Sequence, residues 1–185
     1  MADDDLRALV ERARRGQPEA FEALYERFEA HVYALCARLL ADPEAAAEAT
    51  GAIWLTVWQR LRGLRHAEAF TAWLRQTAVR ECHRRQRRRP WWRVWGGDEA
   101  IAERADEQPP PAAGLTRDEL AERVQAALAR LSAEHREVVV LHHLEGLPVA
   151  EIAGLLDVAP GTVKSRLGRA RTHLTRLLGP YLEDD

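Results

Sequence analysis

The chain has 185 residues, 46% of them apolar and 30% charged, and its 27 cations nearly balance 29 acids. That length suits one or two domains with modest cores, and no apolar run approaches the ~20 residues of a membrane helix, so no membrane insertion is expected. The opening MADDDLRALVERARRG lacks a secretory signal's basic head and apolar stretch, and Cys36 and Cys82 form no CxxC motif, which reads as a cytoplasmic protein with reduced thiols.

Taken in chain order, almost nothing reads as strand. The pattern predicts a short amphipathic helix over Asp3 to Arg15, ended by Gly16, and Pro18 opens the next. That second helix carries Phe21, Leu24, Phe28, Val32 and Leu35 at spacings of three and four and stops at Asp42-Pro43. A third is predicted from about Pro43 to Arg62, with Gly63 as its C-terminal cap. Residues 1–64 hold eight Arg and eleven acids, whereas residues 65–95 hold nine Arg and two Glu. A fourth helix therefore runs from about Glu68 into a strongly basic stretch, AFTAWLRQTAVRECHRRQRRRPWWRVW. Its arginines can fork onto phosphates, and the interleaved indoles can stack on unpaired bases. The bland alternative is that Trp73 packs with Phe70 in the core while the arginines form a solvated end.

Residues 90–114 change character. Pro, Gly and Ala, with five acids against one Arg over residues 96–114, mark a flexible acidic linker, with at most a short helix near Asp98 to Ala105. Beyond it, Leu115 to Leu131 reads as a helix, Ser132 as the N-cap of another, and Gly146 and Pro148 as that helix's end. The expected fold is all-α: two small helical domains, residues 1–89 and 115–185, joined by the tether 90–114.

The stretch PVAEIAGLLDVAPGTVKSRLGRAR joins two short helices through Asp157-Val158-Ala159. Val163, Leu167, Ala170 and Leu174 recur at four, three and four, one buried stripe. At ~100° per residue, Thr162, Ser165, Arg169 and Thr172 fall opposite that stripe, flanked by Lys164 and Arg166. No carboxylate lies between Val158 and Pro180, so the outer face is short hydroxyls and long cations. Gly179-Pro180 closes the unit. This is the pattern of a helix-turn-helix whose second helix enters a major groove, although an ordinary hairpin with a solvated cationic face would share its outline.

These residues also carry a resemblance. LSAEHREVVVLHHLEGLPVAEIAGLLDVAPGTVKSRLGRARTHLTRLL is similar to the C-terminal DNA-binding region of bacterial RNA polymerase sigma factors, most closely the small two-domain extracytoplasmic-function group. Gly161 to Leu167, followed by Arg169-Ala170-Arg171, is its specific part. IWLTVWQRL and AFTAWLRQTA resemble the N-terminal module of that family, which holds polymerase and opens the downstream promoter element. The resemblance implies an initiation factor that directs core RNA polymerase to promoter DNA. Thr162, Lys164, Ser165, Arg166 and Arg169 would contact the upstream element. Arg80, Arg84 and Arg85 would hold the downstream strand, and Glu48, Trp54 and Trp58 would bind polymerase. An anti-sigma factor is the further partner expected from the family.

Two departures stand out. Where the family's polymerase-binding helix usually reads Asp-Leu-Val-Gln-Glu, this chain has Glu48-Ala49-Thr50-Gly51-Ala52. The family's habitual Asn and Asp fall at Arg80 and Arg84. The alternative reading is accordingly a sigma-like helix-turn-helix regulator that does not productively engage polymerase. Catalysis finds little support: there is no phosphate-cradling Gly loop and no nucleophile with a base. His83 beside Cys82 and the pair His142-His143 lack a ligand set of usable spacing, so neither metal nor cofactor is expected.

Overall fold

The computed structural model describes residues 2–88 and 116–178. Its contacts divide the chain into two compact units, residues 1–84 and 85–185. The tether and the indoles of Trp91, Trp92 and Trp95 lie outside the described residues, as do Arg89 and the Gly179-Pro180 close.

In the first unit, α1 (Ala2–Arg14) packs on α2 (Pro18–Leu40), and α2 lies along α3 (Pro43–Arg60). Two residues past α1, Gly16 takes φ +84°, a backbone that favours a residue without a side chain, and the Arg62 guanidinium lies against it. The break between α2 and α3 follows from local chemistry. Ala41 turns left-handed at φ 50° and its N–H returns to the Ala37 carbonyl. Asp42 then accepts from the Ala45 N–H at 3.1 Å, and Pro43 opens α3. The core consists of Val10, Leu24, Val32, Leu35, Leu39, Leu40, Ile53 and Val57, closed by Phe70, Leu74, Ala78, Val79 and Cys82 of α4 (Phe70–Arg88).

Gly63 departs from its expected role. Helix α3 stops at Arg60, and Leu61–Gly63 tightens into a 3₁₀ turn, followed by a second one at Ala67–Ala69. Gly63 is not among the positive-φ glycines. Leu61 and Ala67 are both buried, and tertiary burial of these two side chains sets the backbone path more strongly than the glycine's local preference.

The second unit begins with α5 (Arg117–Ala129), opened by a capping box in which Thr116 and Glu119 satisfy each other's backbone N–H. The Thr116 N–H and hydroxyl both donate to the Glu119 carboxylate, at 2.7 and 2.9 Å, and hold that carboxyl below its ordinary range. Ser132 caps α6 (Ala133–Val139) through the His135 N–H, as expected. Arg136 is buried, and its guanidinium donates to the Leu131 carbonyl at 3.1 Å, stapling the end of α5. Helix α6 widens into a π-helical turn over Val140–Leu144 and exits at Gly146, φ +69°. The ring Nδ1 of His142 sits 2.9 Å from the Leu147 carbonyl and ties that exit down.

Helix α7 (Val149–Leu156) ends at Asp157, again left-handed at φ 55°, and α8 (Pro160–Leu178) starts three residues later. Ile152, Ala153 and Leu156 of α7 and Val163 and Ala170 of α8 are buried, and the two helices pack on one another. Val163 and Ala170 are fully buried, while Leu167 and Leu174 are half-buried at the edge of the seam. Among the described residues, no strand occurs, no His/Cys/Asp/Glu cluster could hold a metal, and no helix is long and apolar enough to cross a membrane.

Candidate nucleic-acid interface

The outer side of α8 is built by what the helix buries. With Val163 and Ala170 inward, Gly161, Lys164, Ser165, Gly168, Arg169, Arg171 and Thr172 are exposed. The Ser165 hydroxyl donates to the Thr162 carbonyl at 2.9 Å, and that of Thr172 to the Gly168 carbonyl at 3.3 Å. Lys164 and Arg169 flank the serine. Gly168 lies between them, and a Cβ there would meet nothing within 4 Å. A flat strip of backbone and hydroxyl edged by two long cations can approach base edges and phosphates together.

Arg166 does not belong to that strip. Its guanidinium pairs with Glu134 of α6 at 2.7 Å, and the side chain is only 17% exposed. Thr162 beside it is half-buried. The outward face therefore excludes Arg166, because Glu134 of α6 draws it against the protein. Helical phasing alone finds the buried stripe but cannot say which flank a neighbouring helix covers. Arg166 acts as a strut between α6 and α8. Gly168 and Arg171, by contrast, join the exposed face without having been singled out for it.

His143 lies close to this helix at its other flank. Partial burial, then the positive potential of His142 and Arg171, lower its pKa from the ordinary value.

In the first unit, the face of α3 divides its two tryptophans. Trp54 is 5% exposed, with the Phe21 ring edge-on at 5.9 Å and Tyr25 tilted at 5.0 Å. It belongs to the core, which corrects its assignment to a polymerase-binding surface. Trp58, one turn on, is half exposed on the other side of Phe21, and Leu55 and Tyr25 are exposed with it. Glu48 is exposed nearly three turns before Trp58. Helix α3 passes through Gly51 without a break, and no atom lies within 4 Å of the position a Cβ would take.

Arg80 is exposed on α4. Arg84 is held in a two-point fork by Glu81, at 2.9 and 2.6 Å, and Arg85 is half-buried. Trp73 is half-buried, 6.3 Å from Phe70, and lines an open cleft of about 590 Å³. Arg60, Arg65 and His66 share that lining with Gln59. The sequence carries this cluster as RLRGLRH, a cationic run between two helices, but only the paired 3₁₀ turns bring it against an indole.

Residues 24–92 match the model for Sigma-70 region 2, and residues 121–174 the model for Sigma-70, region 4. The ECF RNA polymerase sigma factor SigM of Mycobacterium tuberculosis is 34% identical over 165 residues, which is 89% of this chain and 80% of that one. The chain belongs to the ECF RNA polymerase sigma factors. The RNA polymerase sigma-H factor of Pseudomonas aeruginosa is 28% identical over 187 residues, 95% of each chain. Two solved structures share the fold. CnrH, solved in complex with the cytosolic domain of CnrY, has a TM-score of 0.60 at 24% identity over 94% of this chain and 97% of that one. RpoE of Bartonella quintana, solved with the anti-sigma factor NepR, has 0.61 at 22% over 89% and 98%. As a sigma factor, the protein is a transcription factor rather than a catalyst, and it serves RNA polymerase as an alternative specificity factor.

Proposed function

We propose that this sigma factor divides promoter recognition between its units at specific residues. The α8 strip of Lys164, Ser165, Gly168 and Arg169 reads the upstream element in the major groove, with Thr172 alongside. Arg166, and Thr162 next to it, hold the helix in place for that reading. The observation that carries this is the Arg166–Glu134 pair: it removes one cation from the solvent face and leaves Lys164 and Arg169 as the pair that brackets the serine. Cations of this kind fork onto guanine or sit on phosphate, and hydroxyls serve either.

The first unit meets core RNA polymerase through α3, using Glu48, Leu55 and Trp58. Unbroken helix at Gly51 supports that role and disfavours a regulator that has lost polymerase. The downstream strand passes over Arg80, Arg84 and Arg85, and the Trp73 cleft with Arg60, Arg65 and His66 takes an unpaired base. An indole face offers stacking of ~1–3 kcal/mol to any base. The molecule works in the cytoplasm without catalysing a reaction or carrying a cofactor. An anti-sigma factor is its further partner, a reading supported by the Bartonella quintana RpoE, a protein of this fold solved in complex with the anti-sigma factor NepR.

Co-purification with core polymerase tests the division. The Leu55→Ser/Trp58→Ala chain should lose polymerase while still binding promoter duplex. The Lys164→Ala/Arg169→Ala chain should keep polymerase and lose the upstream contact. If both variants lose the same activity, the assignment is wrong.

A further inference from the structure

Helix α4 carries six arginines and a single acid, Glu81. Arg80, Arg84 and Arg87 fall at intervals of four and three, which places them on one side of the helix, and all three are exposed. Arginines so spaced repel one another. Glu81 stands beside the middle one. Its carboxylate accepts from the Arg84 Nε at 2.9 Å and from Nη2 at 2.6 Å, so the guanidinium is gripped along one edge. The two partners are not equally wet: the Glu81 side chain is 15% exposed and that of Arg84 45%.

That asymmetry decides between two consequences. A fully hydrated acid would release its arginine as a phosphate approached, and Glu81 would then compete with the strand. A covered carboxylate stripped of its cation is instead left desolvated and unpaired, which is costly. The fork therefore stays closed while DNA is bound. A guanidinium has five N–H donors in one plane, and the edge facing Glu81 uses two of them. Its Nη1–Nη2 edge is a second fork, of the shape that a phosphate accepts.

We propose that Glu81 is a positioning residue for the downstream strand: it holds Arg84 by one edge while the other edge receives a phosphate. This role rests on reading α4 as the surface under that strand, and it gives the lone acid of the helix a part in the contact. Two effects of the carboxylate oppose each other. Its charge weakens the attraction of α4 for phosphate, a cost that shrinks as salt rises. Ordering a long side chain in advance spares the entropy otherwise lost on contact, and salt leaves that gain in place. The second effect is the larger at ~0.15 M salt and above.

The test loads core RNA polymerase with the parent chain, Glu81→Gln, Arg84→Lys or the double variant, and measures affinity for a labelled duplex with a premelted bubble of mixed sequence. Near ~0.15 M salt, Glu81→Gln should bind several-fold weaker although it removes a negative charge, and the deficit should persist as salt rises. Arg84→Lys keeps the charge without the fork and should lose as much. The double variant should lose no more than either single one. Equal or tighter binding by Glu81→Gln overturns the proposal, and so does a lowered urea midpoint with strand affinity unchanged. Should Glu81→Gln fail to fold, Arg84→Lys at its exposed site decides, and parental affinity in that chain overturns the proposal equally. Parental affinity in Arg80→Ala/Arg84→Ala/Arg85→Ala would remove the strand from α4 and both readings with it. A loss in that triple variant without one in Glu81→Gln removes Glu81 alone.

Discussion

Arg166 and Arg169 are both arginines on one helix of a basic motif, yet their surroundings give them different work. Arg169 points to solvent, so Arg169→Ala should weaken upstream-element binding by ~1–3 kcal/mol if its fork lies on a base, with altered sequence preference at one position. Arg166→Ala should act through the protein instead. Glu134 is 69% exposed, and a pair open to water on one side contributes at most ~1 kcal/mol. A double-mutant cycle with Glu134→Gln, read by urea unfolding, should recover that coupling, and base preference should stay unchanged. The two tryptophans of α3 separate likewise. Trp54→Ala empties a core site and should cost ~3–5 kcal/mol of stability. Trp58→Ala should unfold near the parent's midpoint and lose polymerase. His143 adds a pH dependence whose sign is set by its lowered pKa. The unfolded chain binds the proton more readily, so the stability this group contributes is present above its ordinary value of 6.5 and lost as pH falls below it. His143→Gln should flatten the parent's loss of stability between about pH 7.5 and pH 5.5.

At the level of helices, what could be read in advance were features whose cause is local. Asp42-Pro43, Ser132 and Pro160 mark helix starts by chemistry confined to four residues, and each stands where it was expected. Gly63 and the π-helical turn at Val140–Leu144 could not be read that way. One depends on Leu61 and Ala67 finding the core, the other on the tie between His142 and the Leu147 carbonyl. The candidate site shows the same division. The periodicity of Val163 and Ala170 locates the inner stripe of α8, but Glu134 of α6 decides that Arg166 is drawn away from solvent while Gly168 stays exposed. In the same way, Trp54 and Trp58 lie one turn apart and both meet Phe21 of α2, but Trp54, with Tyr25 also against it, is buried and Trp58 is half exposed. Gly51 offers a direct check on α3. With open space at the missing Cβ, Gly51→Ala should raise stability by up to ~1 kcal/mol, measured by thermal unfolding, without lowering polymerase binding.

For the molecule as a whole, a net charge of −2 would argue against DNA, and only its distribution argues for it. Nine of the cations crowd into residues 65–95, and five more line an acid-free α8. Segregation of this kind makes binding steeply salt-dependent at each unit separately, because counterions are released only where cations approach phosphates together. The two-unit plan was legible from Pro, Gly and acids between residues 90 and 114, a composition typical of linkers. What it could not supply is the partner each surface meets. That is decided most directly by transcription from a library of promoters randomised at the upstream element, using core polymerase with either the parent chain or Lys164→Ala/Ser165→Ala/Arg169→Ala. The parent should initiate from a narrow set of upstream sequences, and the triple variant should initiate weakly and without that selectivity. An identical set of selected promoters for both chains would contradict the assignment of α8 as the reading helix.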